Sequence, residues 1–298
     1  MDIKNVTIAG GGVLGSQISW MTAFHGFNVS VYDKFEKGIN GAKELHKKYA
    51  EHFKANRGAS QQEIDDTFSR LFYTTNLAEA VKDADLINES VPENPEIKTA
   101  FYTELSKVAP AKTIFTTNSS TMLPSTFAEH TGRPEMFLAL HFANPIWDAN
   151  FGEVMMHPGT DKKYFQIILD FAKDIGMVPV PILKEQPGYV INSMLVPFLF
   201  SAQSLYFNGV SDHETIDKTW MLFSGSNAGP FGIIDMIGMQ TTFNVDMMQG
   251  NALGDEQLLK NGRGLKEEFI DKGKMGANSG EGFYKYPNPS YLDPDFLK

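Results

Sequence analysis

The 298-residue chain contains no cysteine, which excludes disulfides, thiolate metal sites and thiol nucleophiles together. No metal is expected. Positive charge is also scarce, with 26 Lys and Arg against 36 Asp and Glu for a formal net charge of −10. That balance argues against a nucleic-acid partner, although a local basic patch could still receive an anionic ligand. Long apolar runs are missing too. The longest, "YVINSMLVPFLFSA" (189 to 202), is interrupted by Asn192, Ser193 and Pro197. It is too short to span a bilayer, so no membrane partner is expected and the run reads as a buried helix. The opening "MDIKNVTIAG" enters a strand without the charged and apolar regions of a secretory signal. A cytoplasmic location fits this and the lack of cysteine.

What is present suits a globular protein, with 42% hydrophobic and 21% charged residues, and the length suggests two domains. The first 33 residues read as a strand (Val6 to Ala9), a glycine cluster, a helix from about Ser16 to His25 and a second strand, "NVSVYD". This is a βαβ unit with parallel strands as its default. Further strand candidates are "LFYTT", "DLINES", "TIFTTN", "FLALHFA", "EVMMH" and "MVPVPI". Helical patterns separate several of them, so the expected fold class is α/β, a doubly wound sheet of Rossmann type. The polar stretch from Ile39 to Phe68 reads as a helical excursion from it. Pro187-Gly188 then punctuates a change to helical patterns with hardly any strand signal. The expected domains are therefore 1–186 and an all-helical 187–298.

Gly10-x-Gly12-x-x-Gly15 would mean little alone. Here it follows a strand, opens a helix and is answered by Asp33 at the end of the second strand, as a dinucleotide site requires. Gly10 makes the tight turn, Gly12 lets backbone approach a pyrophosphate, and Gly15 packs the helix on the strand. The helix start around Val13 and Leu14 then offers free N–H groups to the phosphates. Asp33 would accept hydrogen bonds from ribose hydroxyls and repel a 2′-phosphate, which favours NAD over NADP.

The oily segment "LALHFANPIWDANFGEVMM" raises a separate question, because a histidine and a glutamate are costly in such surroundings unless partnered. His141 could be a core histidine bonded to backbone, with Glu153 at the surface. Alternatively the two pair. A nicotinamide enzyme that oxidises an alcohol needs a base near neutral pH, with a carboxylate to fix the imidazole tautomer, and this pair could supply both.

The chain resembles the L-3-hydroxyacyl-CoA dehydrogenase family nearly end to end. The matching pieces, in order, are "IAGGGVLGSQI" with "VYD", "ESVPENPEIK", "TNSST", "HFANP" with Glu153, "PGYVIN", "NGVSDHETID", "AGPFGIIDMIG" and "GEGFYKY". The resemblance implies a Rossmann-type domain followed by an all-helical domain that dimerises, with an acyl-CoA substrate and NAD as cofactor. It makes His141 the base and Glu153 its orienting carboxylate. Ser120 and Asn192 match residues that hydrogen-bond the substrate oxygen, and Glu89, Lys98 and Asn118 match positions near the nicotinamide. Lys54 and Arg57 fall in the helical excursion where the family meets CoA phosphates. Each has a plainer reading. Glu89 and Lys98 could be an exposed ion pair worth little, Ser120 and Asn118 could shape a turn, Asn192 could be a buried helix polar group, and Lys54 and Arg57 could sit on a solvated face. His157 matches no motif and reads as a surface or packing residue.

Departures from the family pattern cluster around the expected pocket. Ala143 stands where a second aromatic is usual, and Trp147, Asp148, Phe151 and Gly152 replace a proline- and aliphatic-rich segment. Ser193 stands where an arginine is usual, and Ala228 precedes the Gly-Pro turn in place of methionine. An unpaired Asp148 facing an acyl channel would disfavour long chains. The expectation is a short 3-hydroxyacyl-CoA, or a small polar hydroxy acid.

Overall fold

The structure is a computed structural model that describes residues 2–298. It divides into two compact units, one ending at Val190 and one running Ile191–Lys298.

The first unit is built on eight strands: β1 (Asn5–Ala9), β2 (Asn28–Tyr32), β3 (Leu71–Thr74), β4 (Leu86–Glu89), β5 (Ile114–Thr117), β6 (Phe137–Phe142), β7 (Phe151–Met155) and β8 (Val178–Ile182). Their order across the sheet is β3-β2-β1-β4-β5-β6-β7-β8. Every neighbouring pair is parallel except β6 with β7. Six helices accompany them: α1 (Val13–Phe24), α2 (Glu36–Asn56), α3 (Gln61–Ser69), α4 (Leu77–Val81), α5 (Pro95–Val108) and α6 (Lys162–Asp174). One apolar core joins Val6, Ile8 and Leu138 to Trp20 of α1, Phe53 of α2 and Phe171 of α6. A second joins Ile87 and Phe115 to Leu77 of α4 and Tyr102 and Leu105 of α5. Helices thus cover both faces, and strands such as β4 and β5 are buried at every position, polar ones included.

Helix α1 starts at Val13, three residues before the sequence pattern suggests, because Gly12 in extended conformation serves as its N-cap. The polar excursion is two helices. Gly58 at φ +69° breaks the chain, and Ser60 restarts it with a capping box in which its hydroxyl accepts the Glu63 N–H while Glu63 accepts the Ser60 N–H. Trp20 meets Phe53 and Phe68 edge-on, which docks both helices of the hairpin on α1.

The second unit holds α7 (Ile191–Phe207), α8 (His213–Ser224), α9 (Pro230–Ile237), α10 (Met239–Leu253) and α11 (Glu256–Glu268). Two buried aspartates tie its motifs together. Asp217 on α8 accepts the N–H groups of Phe231 and Gly232 at the start of α9 and the Tyr284 hydroxyl. Asp235 on α9 accepts the N–H groups of Phe283 and Tyr284 and the Tyr286 hydroxyl. The "AGPFGIIDMIG" and "GEGFYKY" pieces are therefore one hydrogen-bonded joint. The apolar run is helix α7, but it is not wholly buried as its composition suggests, since Met194 is 61% and Leu205 42% exposed.

Candidate active site

Strands β6 and β7 pair antiparallel with His141 directly opposite Glu153. Side chains opposite one another in such a ladder share a face, and here His141 Nδ1 lies 2.9 Å from Glu153 Oε2. Both are buried, at 6% and 1% side-chain exposure. The reading of Glu153 as a surface group falls. A carboxylate only accepts, so Nδ1 carries the hydrogen and Nε2 is left as the acceptor. At that nitrogen stands the Ser120 hydroxyl, 3.0 Å away. The other Glu153 oxygen accepts the Val190 N–H at 2.8 Å.

Ser120 sits in a loop after β5 that is fastened by Glu93. One oxygen of Glu93 accepts the hydroxyls of Ser119 and Thr121 and the N–H groups of Ser120 and Thr121, at 2.5 to 3.1 Å. Burial pushes the Glu93 carboxyl up, but the Ser119 hydrogen bond, the Lys98 charge and the Thr121 hydrogen bonds outweigh it and hold the group below the usual carboxylate range. Lys98 lies 3.2 Å from Glu93 and 2.6 Å from Glu89.

That second pair is no exposed bridge, because Glu89 is 0% and Lys98 1% exposed. Glu89 also accepts the Tyr102 and Thr117 hydroxyls and the Val91 N–H. Asn118 ties the ends of β5 and β6, its Oδ1 accepting the Phe142 N–H at 3.0 Å and its Nδ2 donating to Ser90.

The glycine turn fits a dinucleotide. Gly10 has φ +123°, and a Cβ there would strike the Ser90 carbonyl, as one at Gly15 would strike the Gly10 carbonyl. A Cβ on Gly12 would meet nothing within 4 Å, and no side chain caps α1. The N–H groups at Val13 and Leu14 are thus not claimed by a capping side chain, in the place where a pyrophosphate binds. Asp33 follows β2 and is fixed by accepting the N–H groups of Gly11 and Phe35, both at 2.9 Å.

One expectation changes. Asp148 is not an unpaired acid, because it forms an ion pair with Arg57. Arg57 makes that partly exposed ion pair and donates to the Trp147 carbonyl at 2.8 Å. Lys54 pairs with Glu51 at 3.4 Å. Trp147 packs against Tyr49, His52 and Phe53 of α2, so the loop after β6 is bound to the helical hairpin. His157 is a packing residue, buried against Pro134 and accepting the Gly159 N–H. Asn192 lies in the first turn of α7, in the second unit.

Two residues went unremarked in the sequence: Glu93, inside "ESVPENPEIK", and Tyr189, inside "PGYVIN". Tyr189 stacks on the His141 ring, with centroids 4.5 Å apart and planes inclined at 24°. Among the described residues no cluster of three metal-ligating side chains occurs, and no helix is long and apolar enough to cross a membrane.

Comparison with known proteins agrees with this geometry. Residues 5–186 match the model of the 3-hydroxyacyl-CoA dehydrogenase NAD binding domain, and residues 188–286 that of the 3-hydroxyacyl-CoA dehydrogenase C-terminal domain. The mitochondrial hydroxyacyl-coenzyme A dehydrogenase of Homo sapiens is 34% identical over 294 residues, covering 95% of this chain and 91% of that protein. A probable 3-hydroxybutyryl-CoA dehydrogenase of Bacillus subtilis is 30% identical over 288 residues, covering 96% and 98%. A solved structure of a diketoreductase acting on dicarbonyl compounds superposes with a TM-score of 0.91 at 46% identity, covering 96% of this chain and 100% of that one. The chain belongs to the 3-hydroxyacyl-CoA dehydrogenase family, as an NAD-dependent oxidoreductase.

Proposed function

We propose that the chain interconverts a short 3-hydroxyacyl-CoA and its 3-oxo form, with His141 as general base and Glu153 as its orienting partner. The observation that carries this is the chain of contacts from Glu153 through His141 to Ser120. In oxidation, Nε2 of His141 takes the proton of the 3-hydroxyl. Glu153 keeps the ring in the tautomer that can do so and stabilises the imidazolium that results. Ser120, and Asn192 by its family match, hold the substrate oxygen. NAD supplies the hydride acceptor when bound. Gly10, Gly12 and Gly15 with the N–H groups of Val13 and Leu14 would hold its pyrophosphate, Asp33 its adenosine ribose, and Glu89, Lys98 and Asn118 would support its nicotinamide end. In reduction the same residues act in reverse, His141 giving its proton to the new alcohol.

The short-chain preference rests on Ala143 and on a β6–β7 loop bound to α2 through Trp147 and Arg57. A second reading, a small free dicarbonyl or hydroxy acid, is favoured by the engagement of Lys54 and Arg57 in ion pairs and by the 46% identity to a diketoreductase. The exposed apolar groups of the second unit, among them Phe223 at 85%, support a homodimer through that unit. A cytoplasmic location belongs to the same reading, although the human relative is named mitochondrial.

A panel of 3-oxoacyl-CoA thioesters of about four to ten carbons and a free diketone, assayed by NADH oxidation, tests the substrate. A site built for a long chain would gain about 1 kcal/mol per matched methylene; the short-chain reading expects no such gain, with kcat/KM falling as the chain lengthens. A steady rise would refute the short-chain reading, and turnover of the diketone alone would replace it with the second.

A further inference from the structure

We infer that Tyr189 is a positioning residue for the reaction proposed above, holding His141, Glu153 and the Ser120 loop in one arrangement. The inference rests on His141 being the base. Tyr189 is the only non-glycine residue with positive φ among those described, at +56°. For a bulky side chain this conformation is an outlier, and such outliers gather where surrounding contacts need them. The need is visible in what the turn delivers.

The Tyr189 ring, 1% exposed, lies on the His141 imidazole at 4.5 Å. A ring held flat against the imidazole restricts its rotation about χ2, which the hydrogen bond to Glu153 alone would leave looser. The Tyr189 hydroxyl donates to the Ser119 carbonyl at 2.6 Å, fixing the loop next to the Ser120 side chain in addition to the Glu93 contacts. The next residue, Val190, donates its N–H to Glu153 Oε1 at 2.8 Å, so the same turn locks the carboxylate that orients His141. One residue therefore bears on all three groups without needing to touch the substrate. Its phenol does not serve as a proton donor, because burial, helped by nearby Glu93 and Glu153, raises its pKa far above the working range.

The test compares Tyr189→Phe, Tyr189→Leu and Tyr189→Gly with wild type and His141→Ala in the full-length enzyme, using NADH and whichever carbonyl substrate wild type turns over fastest. Glycine accepts positive φ freely, so Tyr189→Gly keeps the turn while removing the ring, which guards against mere misfolding. Misplacing a reacting group by about 1 Å can cost on the order of 10² in rate, so Leu and Gly should lower kcat by roughly that factor. KM should stay within about twofold, since ground-state binding is untouched. Phe should lose only about threefold to tenfold, because it keeps the stack and drops one hydrogen bond. The deuterium isotope effect on kcat, measured with NADH deuterated at C4, should rise in Leu and Gly, which a loss of folded protein would not produce. A ring-current-shifted imidazole proton, assigned by its absence from His141→Ala, should vanish in Leu and Gly irrespective of turnover. If His141→Ala is inactive while Leu and Gly keep wild-type kcat, or the imidazole proton is unmoved, the role of Tyr189 is refuted. If His141→Ala is itself fully active, the proposed function fails instead.

Discussion

The helical unit carries a carboxylate whose burial can be converted into a measured stability. Asp246 on α10 is fully buried, and neither of its oxygens has a hydrogen-bond partner in the protein. The same holds for the amide of Gln203, which is buried on α7. Burial pushes the Asp246 carboxyl from 3.8 up to about 7, and the Gln203 amide, close by but short of hydrogen-bond geometry, offsets only part of that. At about 1.4 kcal/mol per pH unit, the difference between folded and unfolded states comes to a little over 4 kcal/mol. Water entry and local relaxation bring the expected figure down to about 1–3 kcal/mol. Below pH 3.8 the group is protonated in both states and costs nothing. Between there and about pH 7 only the folded state keeps the proton, so stability falls as pH rises, and above pH 7 the loss is complete. Asp246→Asn has the shape of the protonated acid without its titration. Scanning calorimetry of the full chain at pH 4.5 and pH 8 should show the variant's melting transition near that of wild type at the lower pH and roughly 5–10 °C above it at the higher. Taking the difference between the proteins removes Asp217, raised to about 6 chiefly by burial, and Asp235, raised for the same reason. A gap that is equal at both pH values, or an Asn variant less stable at pH 8, would refute the reasoning.

Three further outcomes are expected. His141→Ala should lower kcat by at least about 10² with NADH binding unchanged, and adding Glu153→Gln should cost little more; fully additive losses in a double-mutant cycle would show that the two do not act as a unit. Calorimetric titration should find NADH bound well and NADPH poorly, with the gap narrowed in Asp33→Ala, and equal affinities in wild type would exclude Asp33 as the discriminator. Lys98→Met strands Glu89 in the interior, at a cost of about 3 kcal/mol, the low end for a broken buried pair, because Tyr102, Thr117 and Val91 still donate to the carboxylate; urea unfolding with an unchanged midpoint would contradict this.

Much of the site was legible because its constraints are local. Gly10, Gly12, Gly15 and Asp33 fall within one βαβ unit, where spacing and chain order nearly determine geometry. His141 stood out because a base in an apolar strand demands a partner, and Glu153 was near enough in sequence to be suspected. Asp148 was misread for the complementary reason: its partner Arg57 lies 91 positions away, on an element whose docking depends on aromatic contacts between α1 and α2. Glu93 and Tyr189 were invisible as functional candidates since nothing in their own neighbourhood is chemically out of place. Their importance comes from loops that meet only after the sheet has formed. The exposure of α7 is not legible in the sequence, because composition measures how apolar a helix is and says little about which side of it is covered.

The register of β6 against β7 has a consequence for how this scaffold can change. His141 and Glu153 are brought together by the ladder, whose rungs run from Ala139 opposite Met155 to Phe142 opposite Gly152. The segment 143–150 closes the far end and is tied down by other contacts, Ile146 lying in the core with its N–H on Gln17 and Trp147 packing on α2. What sets His141 against Glu153 is therefore the rungs themselves, since only a slip along the strands would send Glu153 to the other face. Trp147 and Asp148 lie in that segment. The fold thus separates what holds the His141–Glu153 pair from what holds the segment beside it: the first is a matter of strand register, the second of contacts with α1 and α2.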